Sequence, residues 1–115
     1  MGIGISLWNI ENPVVAGPFT PTQLAGLTAW FDAADTSTIQ QTGGFVSQWN
    51  DKSGNGFNAT QATGTNQPKT GINTTNGKNV ITFDGTDDSF MVAGALTAIS
   101  NTDLTCFVTI RSGPQ

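Results

Sequence analysis

The side chains that carry most enzyme chemistry are missing or rare in this 115-residue chain. It has no histidine and no tyrosine, and Glu11 is its only glutamate. General acid and base catalysis depends mainly on His, Glu, Asp, Lys and Tyr, so few combinations remain. Glycoside hydrolysis needs two carboxyl groups roughly 5 to 9 Å apart, and the chain has no strand with alternating carboxylates. We therefore predict no catalytic residues and no cofactor.

Positive charge is also scarce. The chain has eight acidic residues but only four basic ones, Lys52, Lys69, Lys78 and Arg111, and charged residues make up 10% of it. Binding to nucleic acid requires a basic surface that neutralises phosphates, and these four residues form no such surface. The positions where a cytosolic enzyme usually carries Lys and Glu hold Thr, Asn, Gly and Gln instead, which is typical of extracellular β-proteins.

Cysteine and long apolar runs are nearly absent. Cys106 is the lone cysteine, so no intrachain disulfide forms, and its alternation with Leu104, Val108 and Ile110 predicts a small buried hydrophobic side chain. No apolar run approaches the ~20 residues of a membrane-spanning helix. Residues 1–8 have neither the basic start nor the apolar stretch of a signal peptide.

Residues 1–19 combine large apolar side chains with Pro13 and Pro18. Such a segment has too much apolar surface for a solvated tail, and the prolines prevent one regular element. We interpret it as an extended arm that is buried against either this domain or a neighbouring subunit. The predicted partner-binding residues of this arm are Ile5, Leu7, Trp8 and Ile10, and residues 20–115 form the folded module.

Turn chemistry and alternation predict an all-β module with only short helical turns. Thr20, Pro21 and Gln23 form a helix-start signal, and Gly26 is a stop. Alternating segments bounded by turn residues indicate antiparallel strands. The predicted strands are 27–33, 45–50 (entered from a Gly43-Gly44 turn), 80–83, 89–92 and 104–110, with one short strand near 58–62 in an otherwise long loop over 51–78.

Two Asp- and Gly-rich segments suggest turns rather than metal sites. Asp84, Asp87 and Asp88 could supply oxygen ligands to calcium, but Asp and Gly85 are also what a tight hairpin between 80–83 and 89–92 requires. Asp51, Ser53, Gly54, Asn55 and Gly56 are interpreted in the same way, as a turn whose side chains accept hydrogen bonds from backbone N–H groups. We predict no metal ligands.

Three segments in this order carry a family resemblance: Leu27-Thr-Ala-Trp-Phe-Asp-Ala-Ala-Asp35, Gln48-Trp-Asn-Asp-Lys-Ser-Gly-Asn-Gly56 and Val80-Ile-Thr-Phe-Asp-Gly-Thr-Asp-Asp88. The chain resembles the N-terminal half of the concanavalin A-like lectin and glucanase (laminin-G-like) β-sandwich, in the form found in bacteriophage tail, fibre and other virion proteins. The resemblance implies an antiparallel jelly-roll-like sandwich with Trp30 and Trp49 in its interior or at its margin. Full sandwiches of this family have about twice as many strands as this chain provides, so we expect a longer polypeptide or neighbouring chains to complete the sheets.

The resemblance implies a non-enzymatic component of a bacteriophage particle, a tail, fibre or capsid-decoration protein that contributes to host attachment. Its partners would be other virion proteins and further copies of itself, and it would be found in the extracellular particle. An alternative is a carbohydrate-binding module of a secreted bacterial or phage protein, with a cell-surface glycan as partner and an exposed Trp as its stacking platform. A truncated glycoside hydrolase would need carboxylates beyond this sequence. Because one fold hosts all three, the sequence leaves these alternatives open.

Overall fold

A computed structural model describes residues 18–94 and 105–110 of the chain, and these residues form an antiparallel sheet with almost no helix. The all-β prediction is therefore confirmed. Three 3-10 helices, each of three residues, cover Pro21–Gln23, Thr36–Thr38 and Gly64–Asn66. The strands are β1 (Ile39–Thr42), β2 (Phe45–Trp49), β3 (Ala59–Thr60), β4 (Lys69–Thr75), β5 (Lys78–Thr82) and β6 (Met91–Val92).

The first helical turn begins where the sequence predicts. The backbone N–H of Thr20 donates to Oε1 of Gln23 at 2.9 Å, and Pro21 occupies the first helical position. The turn ends at Leu24, whose N–H bonds to the Pro21 carbonyl. A helix of one turn has too few internal hydrogen bonds to extend itself, so the chain becomes extended again.

Two hairpins depend on residues that adopt positive φ. Gly43 and Gly44, with φ of 62° and 89°, join β1 to β2. Asn76 and Gly77, with φ of 52° and 73°, join β4 to β5. Two-residue turns with positive φ at both positions match the right-handed twist of paired strands. The Gly43-Gly44 turn is confirmed, whereas the Asn-Gly hairpin lies within the segment for which we predicted a long loop.

The sheet is built around β2. β1 pairs along one edge of β2, from Ile39 opposite Trp49 to Thr42 opposite Phe45. The other edge of β2 pairs with β4 at Phe45 and with β3 at Gln48 and Trp49. β5 then pairs with β4, and β6 pairs with β3. Within the described residues, β1, β5 and β6 each pair with a single strand and so each presents one open edge.

A bulge at Ser47 decides which side chains share a face. Gln40 pairs with Gln48 and Gln41 pairs with Val46, so Ser47 is the extra residue. Because one inserted residue reverses the alternation, Val46 and Trp49 lie on the same face. Residues paired across an antiparallel ladder also share a face. The apolar row Ile39, Trp49, Ala59, Val92 therefore crosses the sheet on this side, which we call the inner face.

The core lies on the inner face and is small. Val46 is fully buried and Ala59 is 3% exposed, and they are the only buried apolar residues that the described structure provides apart from Pro68. Pro68 fixes Val46 from the neighbouring segment, since its carbonyl accepts the Val46 N–H at 2.8 Å. The opposite row, Gln40, Gln48, Thr60 and Met91, is mainly polar and forms the outer face.

The predicted strand over residues 27–33 is wrong, because residues 27–32 belong to no ladder and a turn begins at Ala33. Their backbone groups bond instead to the loop after β2. The N–H of Trp30 donates to a side-chain oxygen of Asp51, and its carbonyl accepts the N–H of Lys52. Local sequence can suggest an extended backbone, but the bonding partner determines whether it is a strand.

The predicted hairpin across residues 84–88 is also wrong. β5 and β6 overlap the predicted strands 80–83 and 89–92, yet β5 pairs with β4 and β6 with β3. β5 has a nearer partner, because the Asn76-Gly77 turn pairs it with β4, and β6 pairs with the more distant β3. Strands β1 and β4 were not predicted, whereas β2 and the short strand β3 were.

The predicted strand 104–110 is not seen in its described part, residues 105–110, which belong to no strand. Cys106 is exposed, so its predicted burial is wrong too. Burial requires a neighbouring layer, and the described residues provide none at this segment. Leu104 and nearly all of the predicted arm lie outside the described residues. So do the predicted partner-binding residues Ile5, Leu7, Trp8 and Ile10.

Candidate functional site

A polar site held by side-chain hydrogen bonds joins two of the three segments that carry the family resemblance. We call residues 27–35 the strap and residues 50–58 the anchor loop. Oδ1 of Asp51 accepts the backbone N–H of Trp30 in the strap at 2.8 Å. The same carboxylate accepts the N–H groups of Ser53 and Phe57 at 2.8 and 3.1 Å and the Ser53 hydroxyl at 2.7 Å. One side chain thus shapes its own loop and holds the strap.

Two further side chains of the anchor loop complete the attachment. The Ser53 hydroxyl donates to the carbonyl of Thr28 at 3.1 Å. The Asn55 amide donates to the carbonyls of Leu27 and Thr28 at 2.8 and 2.9 Å. These bonds take the place of a strand ladder and fix the start of the strap on the anchor loop. The prediction that residues 51–56 satisfy backbone groups is confirmed for Asp51 and Ser53.

Lys52 attaches the far end of the strap by charge. Its ammonium lies 2.8 Å from a carboxylate oxygen of Asp35 and 3.3 Å from one of Asp32. It also stands 4.4 Å from the centre of the Trp30 ring, within the range of a cation–π contact. The hydrogen bond from Lys52 is the main cause that lowers the pKa of Asp35, and Asp35 in turn raises the pKa of Lys52.

The Asp51 carboxylate is adapted to remain ionised. Its partial burial would by itself raise its pKa, but hydrogen bonds from Ser53, Trp30 and Phe57 outweigh that effect and lower the pKa below 3.8. A carboxylate stabilised by several N–H donors behaves in this way. The group therefore acts as a structural acceptor and not as a proton donor near neutral pH.

An aromatic cluster on the inner face connects all three resemblance segments. Trp49 lies between Phe31 of the strap, at a centroid distance of 5.3 Å, and Phe90, at 6.2 Å. Phe83 packs edge-on against Phe90 at 5.9 Å. The position of Trp49 agrees with the interior placement implied by the resemblance. Its indole N–H is buried and has no hydrogen-bond partner among the described residues, which is unusual for a buried polar group.

The acidic turn, residues 84–88, closes on itself. Oδ1 of Asp84 accepts the N–H of Thr86 at 2.8 Å and, at longer distance, those of Asp87 and Asp88. The Asp84 N–H donates to Asp88 Oδ2 at 2.8 Å. The bond from Thr86 is the main cause that lowers the pKa of Asp84. Single oxygens of Asp84, Asp87 and Asp88 lie within 4.8 Å of one another, but the bonds seen here are those of a turn.

A shallow groove of about 290 Å³ opens beside the acidic turn. Phe45, which is 40% exposed, forms one wall, and the Lys69 ammonium stands 5.0 Å from the centre of its ring. Asp84 and Asp88 also line the groove. The groove therefore combines one aromatic ring with charged groups of both signs, an association that the sequence does not reveal because its members come from three separate segments.

A second groove, of about 390 Å³, is lined by uncharged residues between β1 and β4. Asn79 organises it: its amide donates to the carbonyl of Ala33 at 2.8 Å and to the hydroxyl of Thr70 at 3.0 Å. Oδ1 of Asn79 accepts the N–H of Gly71 at 3.1 Å. Asn79 thus links β5 to the end of the strap and to β4, which indicates a structural role.

Residues 105–110 expose most of their apolar surface. Phe107 and Ile110 are each 86% exposed, and Val108 is 67% exposed. The sequence predicts this segment as a strand of the sheet through its alternation, but it pairs with no strand within residues 18–94 and 105–110.

Among the described residues, no helix is long and apolar enough to cross a membrane. Comparison with protein-family models, with curated proteins and with solved structures finds no match to this chain. The resemblance to the concanavalin A-like sandwich therefore remains a prediction from the three sequence segments.

Proposed function

We propose that this protein is a non-enzymatic structural component of a bacteriophage particle, built on a lectin-like β-sandwich of which the six-stranded sheet is one layer. The observation that carries the proposal is the incompletely covered inner face. Trp49, Phe90 and Phe83 form an aromatic cluster there, yet Phe83 is 48% exposed. A sheet with an apolar face is stable only when a second layer covers that face. A protein that obtains this layer from neighbours suits a role in assembly.

The polar groups of the described structure support this role. Asp51, Lys52 and Asp84 are each engaged in holding the chain's own backbone or side chains. Groups that act as catalytic acids or bases are tuned to exchange protons near the working pH. The lowered pKa of Asp51 and of Asp84 points away from that use.

The direct test is whether the chain is part of a particle. Antibodies raised against the purified protein should label tail, fibre or capsid in density-purified phage particles from the source culture. The expected result is a fixed copy number per particle. Recovery of the protein only in the soluble fraction would contradict the proposal.

A substitution in the predicted arm tests whether the arm attaches the protein to the particle. Burial of a Trp as an interface anchor contributes a few kcal/mol, about 2 or more, so Trp8→Ala should reduce incorporation while the sheet remains folded. Ile72→Ala is the matched control, because Ile72 is 57% exposed on β4 and lies outside the arm. Equal incorporation of both variants would show that the arm is not the anchor.

The second candidate is a carbohydrate-binding module, favoured by the groove beside Phe45. An exposed aromatic ring next to carboxylates and an ammonium can stack on a sugar and bond its hydroxyls. The described tryptophans do not serve this purpose, since Trp49 is packed between phenylalanines and Trp30 lies under Lys52. Glycan-array binding that Phe45→Ala abolishes and Phe19→Ala preserves would favour this function, since Phe19 is 64% exposed elsewhere.

A further inference from the structure

We propose that residues 105–110 of one copy add as a strand to the open edge of β5 in a second copy, so that the chain forms a reciprocal dimer. We call residues 105–110 the donor segment. The biological meaning of this dimer rests on the proposed assembly role. The strand addition itself can be tested on the purified protein. The argument starts from the chemistry of the donor segment.

The donor segment, Thr-Cys-Phe-Val-Thr-Ile, has the composition of a strand. It contains β-branched and aromatic residues, which favour strands, and it has no glycine, proline or charge. In water its exposed Phe107, Val108 and Ile110 are unfavourable. An extended segment of this kind pairs readily with any open sheet edge.

The chain's own sheet does not use the donor segment. Residues 105–110 carry no strand assignment, and no ladder of the described structure includes them. Each copy has an unused strand and an open sheet edge. Two copies related by a two-fold axis can therefore pair the strand of each with the open edge of the other. An unrelated partner would satisfy only one of them.

Among the open edges, β5 fits the donor segment best. β5 has five residues, whereas β1 has four and β6 has two. Its inner-face side chain Ile81 and the following Phe83, which is 48% exposed, extend the apolar surface of the sheet. β1 offers only Ile39 before two glutamines and a threonine. Backbone pairing gives strand addition its affinity, and alternate side chains give it specificity.

The area is sufficient for a specific contact. Val108 and Ile110 of each copy, four apolar side chains in all, pack on the inner face, whereas Phe107 has the opposite parity and lies on the outer face. The two reciprocal pairings, counted with the β5 surface that they cover, bury on the order of 1,000 Å², the lower bound for a specific interface.

Cys106 allows the pairing to be trapped. Cys106 has the same parity as Val108 and Ile110, so it lies beside the inner-face positions of β5 when these two side chains face inward. Residues directly opposite each other on paired strands have Cβ atoms close enough for a disulfide. Three single substitutions, on the inner face of β5 and at the residue after it, place a cysteine opposite Cys106 in the different possible registers: Asn79→Cys, Ile81→Cys and Phe83→Cys. Thr82→Cys on the opposite face and Thr42→Cys on β1 are the controls.

We expect one of the three inner-face variants to form a reducible disulfide-linked dimer under mild oxidation, with about tenfold more dimer than either control. Dominant cross-linking of Thr42→Cys would place the donor segment on β1 and overturn the proposal. A disulfide within one chain would show that each copy folds its own segment back, and Cys106–Cys106 dimers of the parent protein would show that the segments pair with each other. Absence of any cross-link would also refute it.

A second measurement does not depend on cysteine substitutions at the edge. By sedimentation, the parent protein should be a dimer and Ile110→Asp a monomer, with both showing the same β-sheet circular dichroism. Met91→Asp is the control, because Met91 is 71% exposed on the outer face, and it should remain a dimer. A monomeric parent protein, or a dimeric Ile110→Asp, would contradict the proposal. Antibodies could still label the particle in that case, so failure of the dimer proposal can be distinguished from failure of the proposed structural role.

Discussion

The anchor loop and the acidic turn both consist largely of turn-forming residues and each contains an Asp that accepts several N–H groups, but the two segments do different things. Asp51 bonds the N–H of Trp30, which lies 21 residues away in the chain, and is partly buried. Asp84 bonds only groups within four residues of itself and is exposed. The first carboxylate therefore holds two parts of the fold together, whereas the second shapes its own turn. Composition alone does not distinguish these roles, because Asp and Gly favour tight turns in both cases.

The largest expected effect comes from Asp51→Ala. This change leaves the N–H groups of Trp30, Ser53 and Phe57 without their acceptor, and each orphaned group costs about 1–3 kcal/mol if water does not replace the bond. Because the site is partly exposed, we expect a loss of about 2–3 kcal/mol in the free energy of unfolding. Denaturant unfolding measures it. A loss no larger than that of Asp84→Ala would remove the contrast between the two turns.

Low pH should weaken the hydrogen bonds that the Asp51 carboxylate accepts in the anchor loop. A carboxylate whose pKa is lowered by folding stabilises the fold above its ordinary value of 3.8, and this stability is lost as the pH falls through the folded pKa. The free energy of unfolding, measured between neutral pH and pH 2, should decrease mainly at pH values below 3.8, the ordinary pKa of an Asp carboxyl. The slope should be shallower in Asp51→Asn, and an unchanged slope would exclude Asp51 as its source.

Lys52→Met should have a smaller effect. The substitution keeps the apolar stem but removes the ion pairs to Asp35 and Asp32 and the contact with Trp30. Partly exposed contacts of this kind contribute about 1 kcal/mol together. The loss should diminish in high salt, since salt screens exposed pairs. Lys78→Met is the control, because Lys78 has no ion pair among the described residues, and it should be neutral.

The smallest effects should come from the acidic turn. Asp84→Ala should reduce the unfolding free energy by much less than Asp51→Ala, because the three N–H groups released are exposed to water. Added calcium should leave the thermal midpoint nearly unchanged. A rise of several degrees with calcium, absent in Asp84→Ala, would instead identify Asp84, Asp87 and Asp88 as a metal site.

Much of the local structure follows from the sequence. The helix start at Thr20, the Gly43-Gly44 turn and strand β2 were predicted from residue types whose preferences act over a few positions. The Asn76-Gly77 hairpin carried an equally strong local signal, but it was interpreted as part of a long loop. The candidate site was predicted in part: the turn role of residues 51–56 was expected, whereas the groove beside Phe45 was not.

The sequence by itself determined the all-β class, the positions of the turns and the scarcity of catalytic side chains, because turn geometry and composition are properties of neighbouring residues. Only the tertiary structure decided that residues 27–33 belong to the strap and not to a strand, that β6 pairs with β3, and that Val46 and Trp49 share a face. These outcomes depend on which distant backbone groups meet and on one inserted residue at Ser47. Alternation describes a strand, but it does not name the partner that the strand pairs with.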